Sequence, residues 1–369
     1  MIDKKILYIT FTDLNATAKA GSELRPQKML AALQETSSEV RYVSGIQNNY
    51  KARLGAYRTV MAWLKEWRPD LCYIEPPSGP LFFACDRQLI RKLHALHVPI
   101  GLFYRDAYWR FPELVGDSSK HRSLKDKLKS KLIFLMQQRD WKLYKNCCKR
   151  IYFPTKLMSS YFDCEQAGVL PPGCTNNYKK EKPGNSIPRA IYVGGATELY
   201  GVPLLLDAGA LVNEKKTVLN ICIVTSEQGW NSFLEKHPKY NAPFSWIELH
   251  HLDAGLELEA LYRTCDFAII PRVKNTYHDF AFPVKLSEYL SHLLPVVSTD
   301  CFETEKFIEA AKIGITAKDT ATEFAEALLK MTEDNQLRDR CYKNSIVARE
   351  QNLWTRRAET VINDLVNED

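Results

Sequence analysis

Residues 265–299, CDFAIIPRVKNTYHDFAFPVKLSEYLSHLLPVVST, read in turn as strand, loop, helix and strand. The run 266–271 is short and apolar and ends in proline. Residues 273–282 are polar and aromatic and read as a loop. Pro283 opens the helix, because proline at the first helical position forfeits no hydrogen bond and presets φ. Leu286, Tyr289, Leu290 and Leu293 recur at i, i+3, i+4 and i+7 and make one buried face. Lys285, Glu288 and His292 fall on another face, three and four residues apart. Residues 295–299 then form a buried strand. Free amides and the helix dipole make a helix N-terminus an anion site. A lysine in the first turn with a carboxylate one turn deeper suits a ligand that carries phosphates beside a diol, such as a nucleotide. The same pair also suits an ordinary surface ion pair worth ~0.2–1 kcal/mol. The helix alone leaves both readings open.

The flanking sequence repeats the pattern. Strands at 190–193, 218–225 and 246–250 alternate with helices at 203–212, 229–236 and 256–263. Helices at 304–311, 320–331, 334–351 and 354–365 follow the central stretch. In the first half, strands at 5–11, 40–44, 70–75 and 99–104 alternate with helices at 23–33, 57–67 and 86–96. Two basic helices at 123–135 and 137–148, a strand at 150–154 and a short helix at 156–162 come next. Residues 176–188, with Pro183, Gly184 and Pro188, read as a linker. Alternating strands and helices argue for parallel β–α–β units. The expected fold class is therefore α/β: two Rossmann-like, doubly wound domains facing a central crevice. The expected domains are 1–175, completed by 353–369, and 189–352. Ligands are expected beyond the carboxyl ends of the strands.

Composition narrows the class. A hydrophobic share of 45% with 25% charged residues fits a globular chain rather than a disordered one. No apolar run approaches the ~18 residues of a membrane-spanning helix. The first residues, MIDKKILYITFTD, lack the apolar core and cleavage site of a leader, so a cytoplasmic location is expected. The ten cysteines include no C-x-x-C and none sits beside histidine at zinc spacing, so neither a disulfide framework nor a metal site is expected. No G-x-G-x-x-G is present, which removes the nicotinamide fingerprint. The net charge of +6 is modest but uneven. Between 120 and 150, eleven lysines and arginines face only Asp126 and Asp140. Leu124, Leu128, Leu132 and Leu135 share one side of this segment. Three readings apply to 118–150: a solvated face, nucleic-acid binding, or docking on an anionic membrane surface. Nucleic acid is disfavoured because no known module or interleaved aromatic pattern accompanies the charge. A leucine face flanked by lysines fits peripheral attachment to the inner face of the plasma membrane.

Several ordered motifs resemble GT-B glycosyltransferases, particularly glycosyltransferase family 4. YVGG…YGVPLLLDAGALV (192–212) resembles the first strand, glycine turn and helix of that family's C-terminal domain. ELEALYRTCDFAIIPR (257–272) resembles the helix and strand before its donor loop, and PVKLSEYLSHLLPVVST (283–299) its donor-binding helix. KILYIT…AGSELRPQKMLAAL (5–33) resembles the N-terminal strand and glycine loop, and NLWTRRAETVINDL (352–365) the closing helices.

The resemblance implies a metal-independent hexosyltransferase that retains anomeric configuration. A nucleotide-diphosphate sugar of UDP or GDP type would be the co-substrate, with no other cofactor. The acceptor would be a glycan or a lipid-linked sugar, in the setting of bacterial polysaccharide or capsule assembly. Glu288 falls where the family binds the donor ribose. The family's other glutamate, eight residues earlier, is Phe280 here, and Asp279 is the neighbouring carboxylate. Asp279, Phe280, Ala281 and Phe282 fall on the donor loop, Gly194 and Gly195 on the glycine turn, and His251 at the base-binding edge. The arginine and lysine that usually follow that turn are replaced by Gly195 and Tyr200. Arg272, Lys274 and Lys285 are then the candidate cations for the leaving diphosphate, Lys285 being the best placed. On the acceptor side the candidates are Gly21, Ser22, Arg105, Asp106 and Trp109. Asp106 follows a strand, where it can position or deprotonate an acceptor hydroxyl, or simply cap the next turn. Two rival functions fit the same fold: a nucleotide-sugar 2-epimerase, and a non-catalytic partner subunit that lacks the usual cations.

Overall fold

A computed structural model describes residues 2–14, 21–111, 124–176 and 184–367, apart from the side chains of residues 21, 22 and 124. The chain forms two compact units, Met1–Pro172 with Trp354–Asp369, and Gly173–Leu353. Residues 177–183, the middle of the expected linker, and 118–123, the start of the expected basic segment, lie outside the described residues.

The first unit runs β1 (Ile2–Thr10), α1 (Gly21–Thr36), β2 (Ser37–Val43), α2 (Tyr50–Trp63), β3 (Leu71–Glu75), α3 (Ala84–Ala95) and β4 (Ile100–Phe103). It continues with α4 (Leu124–Cys147), β5 (Arg150–Phe153), α5 (Lys156–Ser160) and β6 (Ala167–Val169). The strands pair in parallel in the order β2-β1-β3-β4-β5-β6. A parallel sheet is covered on both faces, which is why LCYIE and IGLF are buried at every position. The last helix of the chain, Trp354–Val366, returns to this unit. It lays Trp354, Ala358, Val361, Ile362 and Leu365, one helical stripe, against Ile6, Tyr8, Tyr73 and Phe103. Numbered in chain order it is α14.

The second unit runs β7 (Arg189–Val193), α6 (Val202–Val212), β8 (Asn220–Val224), α7 (Glu227–Lys236), β9 (Ile247–His250), α8 (Leu256–Thr264) and β10 (Phe267–Ile270). After these come α9 (Thr276–Phe280), α10 (Val284–Ser291), β11 (Val296–Thr299), α11 (Phe302–Ala311), β12 (Gly314–Ala317), α12 (Ala321–Glu333) and α13 (Asn335–Gln351). Its strands are again parallel, in the order β12-β11-β10-β7-β8-β9. The connection order reverses between β7 and β10. In the first unit it reverses between β1 and β3. These are the switch points at which open parallel sheets hold ligands.

Four local expectations are corrected. The expected helices at 123–135 and 137–148 are one, α4, because Met136–Gln137 contains no breaker. The expected donor loop contains α9, which Asn275 caps by accepting a bond from His278 N at 2.9 Å. Pro283 stands at the cap of α10, and Val284 is its first helical residue. Strands β6 and β12 have only three and four residues and no alternation, so no periodic signal marks them.

Candidate functional site

The second unit's switch point is built from the turn after β7 and the end of β10. Gly194 N donates to Val224 O at 3.0 Å, and the Tyr192 hydroxyl donates to Gly195 O at 2.8 Å. A Cβ on Gly194 would sit 2.7 Å from that hydroxyl. Gly201, at φ +75°, closes the turn, and a Cβ there would lie 1.5 Å from Pro271 O. Only glycine fits this left-handed position and this close approach. The turn is thereby pressed onto the residue before Arg272. Thr299 Oγ1 fixes the Arg272 carbonyl at 2.6 Å, and the guanidinium lies 5.7 Å from the Tyr200 ring. Among the described residues no carboxylate pairs with Arg272.

The helix α10 brings Glu288 to the same edge. Tyr289 OH accepts Val193 N at 3.0 Å, which ties the helix to β7. Glu288 Oε2 accepts from Tyr262 OH at 3.2 Å and from Lys285 Nζ at 2.5 Å. Behind Tyr262 lies the His292 ring, stacked at 4.2 Å, whose Nε2 meets Glu259 at 3.3 Å. Glu288 is thus held from one side by a buried phenol and from the other by a lysine. The Lys285–Glu288 contact is part-exposed, so its net worth is small, ~0.2–1 kcal/mol. Lys274 is also engaged: its ammonium bonds the Asp300 carbonyl at 2.8 Å and carboxylate at 3.0 Å. Of the three candidate cations, Arg272 alone carries no carboxylate partner among the described residues.

The remaining donor-side candidates have defined local partners. Asp279 caps α11 by accepting Phe302 N at 2.9 Å. Phe280 is buried, its ring 4.9 Å from Tyr277, while Phe282 packs on Phe307 at 5.2 Å. Ala281 is half-buried beside them. His251 is exposed, with Nδ1 2.9 Å from Thr225 O. His278 is buried under the same loop, its Nδ1 2.7 Å from Val273 O. Burial first, and the Arg272 charge second, lower its pKa from 6.5 to about 4. Further along the sheet, donor atoms of Cys222, Glu248 and His250 come within 4.8 Å of one another. There Arg189 bonds both oxygens of Glu248.

In the first unit Glu75 ends β3 at the switch point. It is fully buried and bonds Arg25 Nε at 3.2 Å, the Tyr73 hydroxyl at 3.3 Å and Arg105 Nη2 at 3.4 Å. Asp106, next in the chain, accepts Tyr108 N at 3.2 Å, and burial raises its pKa above the usual carboxylate value. Trp109 donates to Tyr104 OH at 2.6 Å and packs on Phe134. Gly21 begins α1, and the side chain of Ser22 lies outside the described residues. Sequence reading did not find Arg25, Glu75 or Tyr262. For Glu75 a signal existed, a carboxylate closing an otherwise apolar strand run. Arg25 and Tyr262 are ordinary helix residues whose partners are distant in sequence.

Two switch-point sites on two parallel sheets define a class. The whole chain has the GT-B fold of two-domain glycosyltransferases. It superposes on sucrose-phosphate synthase from Thermosynechococcus elongatus over 98% of both chains, at TM-score 0.69 and 11% identity. WaaG, a glycosyltransferase involved in lipopolysaccharide biosynthesis, matches over 98% of this chain and 100% of its own, at 0.63 and 13%. Anabaena HepE, solved with UDP and glucose, matches over 98% and 99%, at 0.64 and 13%. No curated protein matches the sequence. Residues 175–347 match the model of the family described as glycosyl transferases group 1.

The His278 shift has a sign that can be tested. Its folded pKa, about 4, lies below the unfolded value of 6.5, so the unfolded chain binds the extra proton between them. The stability that neutral His278 contributes is present in full above the unfolded pKa and is lost as pH falls toward the folded one. Urea midpoints at about pH 7 and about pH 5 should therefore fall less steeply in His278→Gln than in the wild type. Equal acid losses in both proteins would contradict it.

Proposed function

We propose that this chain is a sugar transferase that takes its sugar from a nucleotide diphosphate. The observation that carries the reading is Glu288, held by Tyr262 at the carboxyl edge of the second sheet, with Arg272, which has no carboxylate partner among the described residues, at the same switch point. A carboxylate that accepts two hydrogen bonds in the free protein is oriented to accept two from a ribose diol. When the diol takes that place, Lys285 is released for the phosphates. The backbone turn at Gly194–Gly195 and the first amides of α10 would join Arg272 in holding the diphosphate. Developing charge on the leaving nucleotide is the chief electrostatic demand of this reaction, so no protein nucleophile is needed. The family resemblance supports retention and metal independence.

The first unit would bind a glycan or lipid-linked acceptor, with Asp106 positioning or deprotonating its hydroxyl. The neighbours' printed activities, sucrose-phosphate and lipopolysaccharide synthesis, favour a sugar acceptor. Peripheral membrane attachment is part of the proposal. The first half of α4 exposes Leu128, Leu132 and Leu135, at 71%, 58% and 51%, among Lys125, Lys127, Lys129 and Lys131. No helix among the described residues is long and apolar enough to cross a membrane. The exposed leucines instead fit the interface of an anionic bilayer.

Glu288→Ala should weaken binding of the cognate nucleoside diphosphate about tenfold by calorimetry. Arg272→Ala should lower turnover about a hundredfold, and Lys274→Ala far less. Equal effects of the two cation variants, or unchanged affinity for Glu288→Ala, would refute these roles. Turnover of the nucleotide sugar to an epimer without acceptor would favour the epimerase. Absence of nucleotide binding would favour a non-catalytic subunit. Co-sedimentation with phosphatidylglycerol vesicles should drop about tenfold in a Leu128→Ser, Leu132→Ser double variant. Binding that matches the wild type would remove the membrane role.

A further inference from the structure

Strands β8 and β9 form one end of the second sheet, and β9 is its edge strand. Glu248 and His250 lie two residues apart on β9, so strand alternation puts both side chains on one face. Parallel pairing sets Cys222 of β8 opposite Glu248. The core on that face holds Cys222 with Ile191, Val224, Leu258 and Leu261, and contains no residue of β9. Cys222 is sealed in this core, while Glu248 and His250 are 39% and 30% exposed at its margin.

The donor atoms of these three residues converge. Cys222 Sγ is 3.9 Å from Glu248 Oε2, and His250 Nε2 is 3.8 Å from the same oxygen. All three atoms lie within 4.8 Å of one another. The ion pair with Arg189 accounts for Glu248, both of whose oxygens it bonds. It does not account for the other two side chains, which face a single carboxylate oxygen. His250 Nε2 is buried without a hydrogen-bond partner, and such an atom calls for an explanation. Cys265, another thiol of this core, donates to Leu261 O at 3.3 Å and is not one of the converging group.

A thiolate, an imidazole and a carboxylate are donors that suit zinc. Zinc bonds of roughly 2.0–2.3 Å at tetrahedral angles put neighbouring ligand atoms ~3.3–3.6 Å apart. The two contacts to Glu248 Oε2 therefore need to close by ~0.3–0.4 Å, and the thiol–imidazole gap by little more than ~1 Å. Carboxylates that bind metals are themselves held by hydrogen bonds from behind. Arg189 fills that place, its own fork fixed by Thr264 Oγ1 at 2.7 Å.

We propose that Cys222, Glu248 and His250 bind a zinc ion, with a water as fourth ligand and Arg189 as the positioning residue for Glu248. The thiol gives up its proton to solvent as the ion binds. The ion clamps the edge strand β9 to β8. None of its ligands is among the residues proposed to hold the nucleotide or its phosphates, so the metal independence proposed for the transfer is untouched. Cys222 and Glu248 are 26 residues apart, on different strands, which is why no zinc spacing marks them in the sequence.

The test uses the full chain, freed of metal with EDTA and titrated with zinc and, in parallel, with cobalt(II), whose thiolate complexes absorb in the near ultraviolet. The wild type should bind a single zinc ion with a dissociation constant of about 1 μM or below. Cobalt should give the thiolate band, and Cys222→Ser should abolish it. His250→Gln should weaken zinc binding at least about tenfold. His250 is partly exposed, so its variant keeps the test decisive if the Cys222 variant does not fold. Absence of zinc binding by the wild type would overturn the site. Zinc affinity and a cobalt band unchanged in His250→Gln would overturn it too, since the ion would then sit elsewhere on the chain.

Discussion

A parallel sheet gathers the carboxyl ends of all its strands along one edge, and both units of this protein are wholly parallel. The residues of both switch-point sites follow from that constraint. Gly194, Arg272 and Glu75 are residues at or just past strand ends, and Glu288 and Arg25 belong to helices that begin there. The burial of the inner strands on both faces leaves this edge as the place where their polar groups can meet a ligand. The switch points, β7/β10 in one unit and β1/β3 in the other, then select where along the edge each site falls.

The cations proposed for the donor phosphates stand at other positions than in the family this chain resembles. With glycine and tyrosine standing where the resembled family carries arginine and lysine, the turn after β7 offers backbone and an aromatic ring. Tyr200 lies over Gly195 and under the Arg272 guanidinium, so the ring that replaces one cation supports another. Gly201 makes this arrangement possible, since any side chain there would push the turn away from Pro271. Lys285 looked best placed in sequence because it stands in the first turn of α10. In the folded chain it is held by Glu288, and it becomes available only when something else satisfies that carboxylate.

Much of the architecture was legible in the sequence because it is written in local periodicity. Leu286, Tyr289 and Leu290 gave α10, and the apolar runs DLCYIE and DFAIIP gave β3 and β10. What escaped lacks a local signal. GITA and AGV are too short to alternate, and α9 is a five-residue helix set by an Asn275 cap inside a polar run. At the sites, residue types were readable but partnerships were not. The Tyr262–Glu288 bond spans 26 residues and the Arg25–Glu75 pair spans 50. No spacing rule reaches that far, and only the sheet topology brings those residues together.

The central claim is that the edge formed by the β7 turn and α10 holds a nucleoside diphosphate. Hydrogen–deuterium exchange of the full chain, with and without saturating UDP or GDP, tests it most directly. The account predicts slowed exchange at residues 194–201 and in the first turn of α10, 284–288, with one of the two nucleotides. Exchange at both segments that neither nucleotide changes would contradict it.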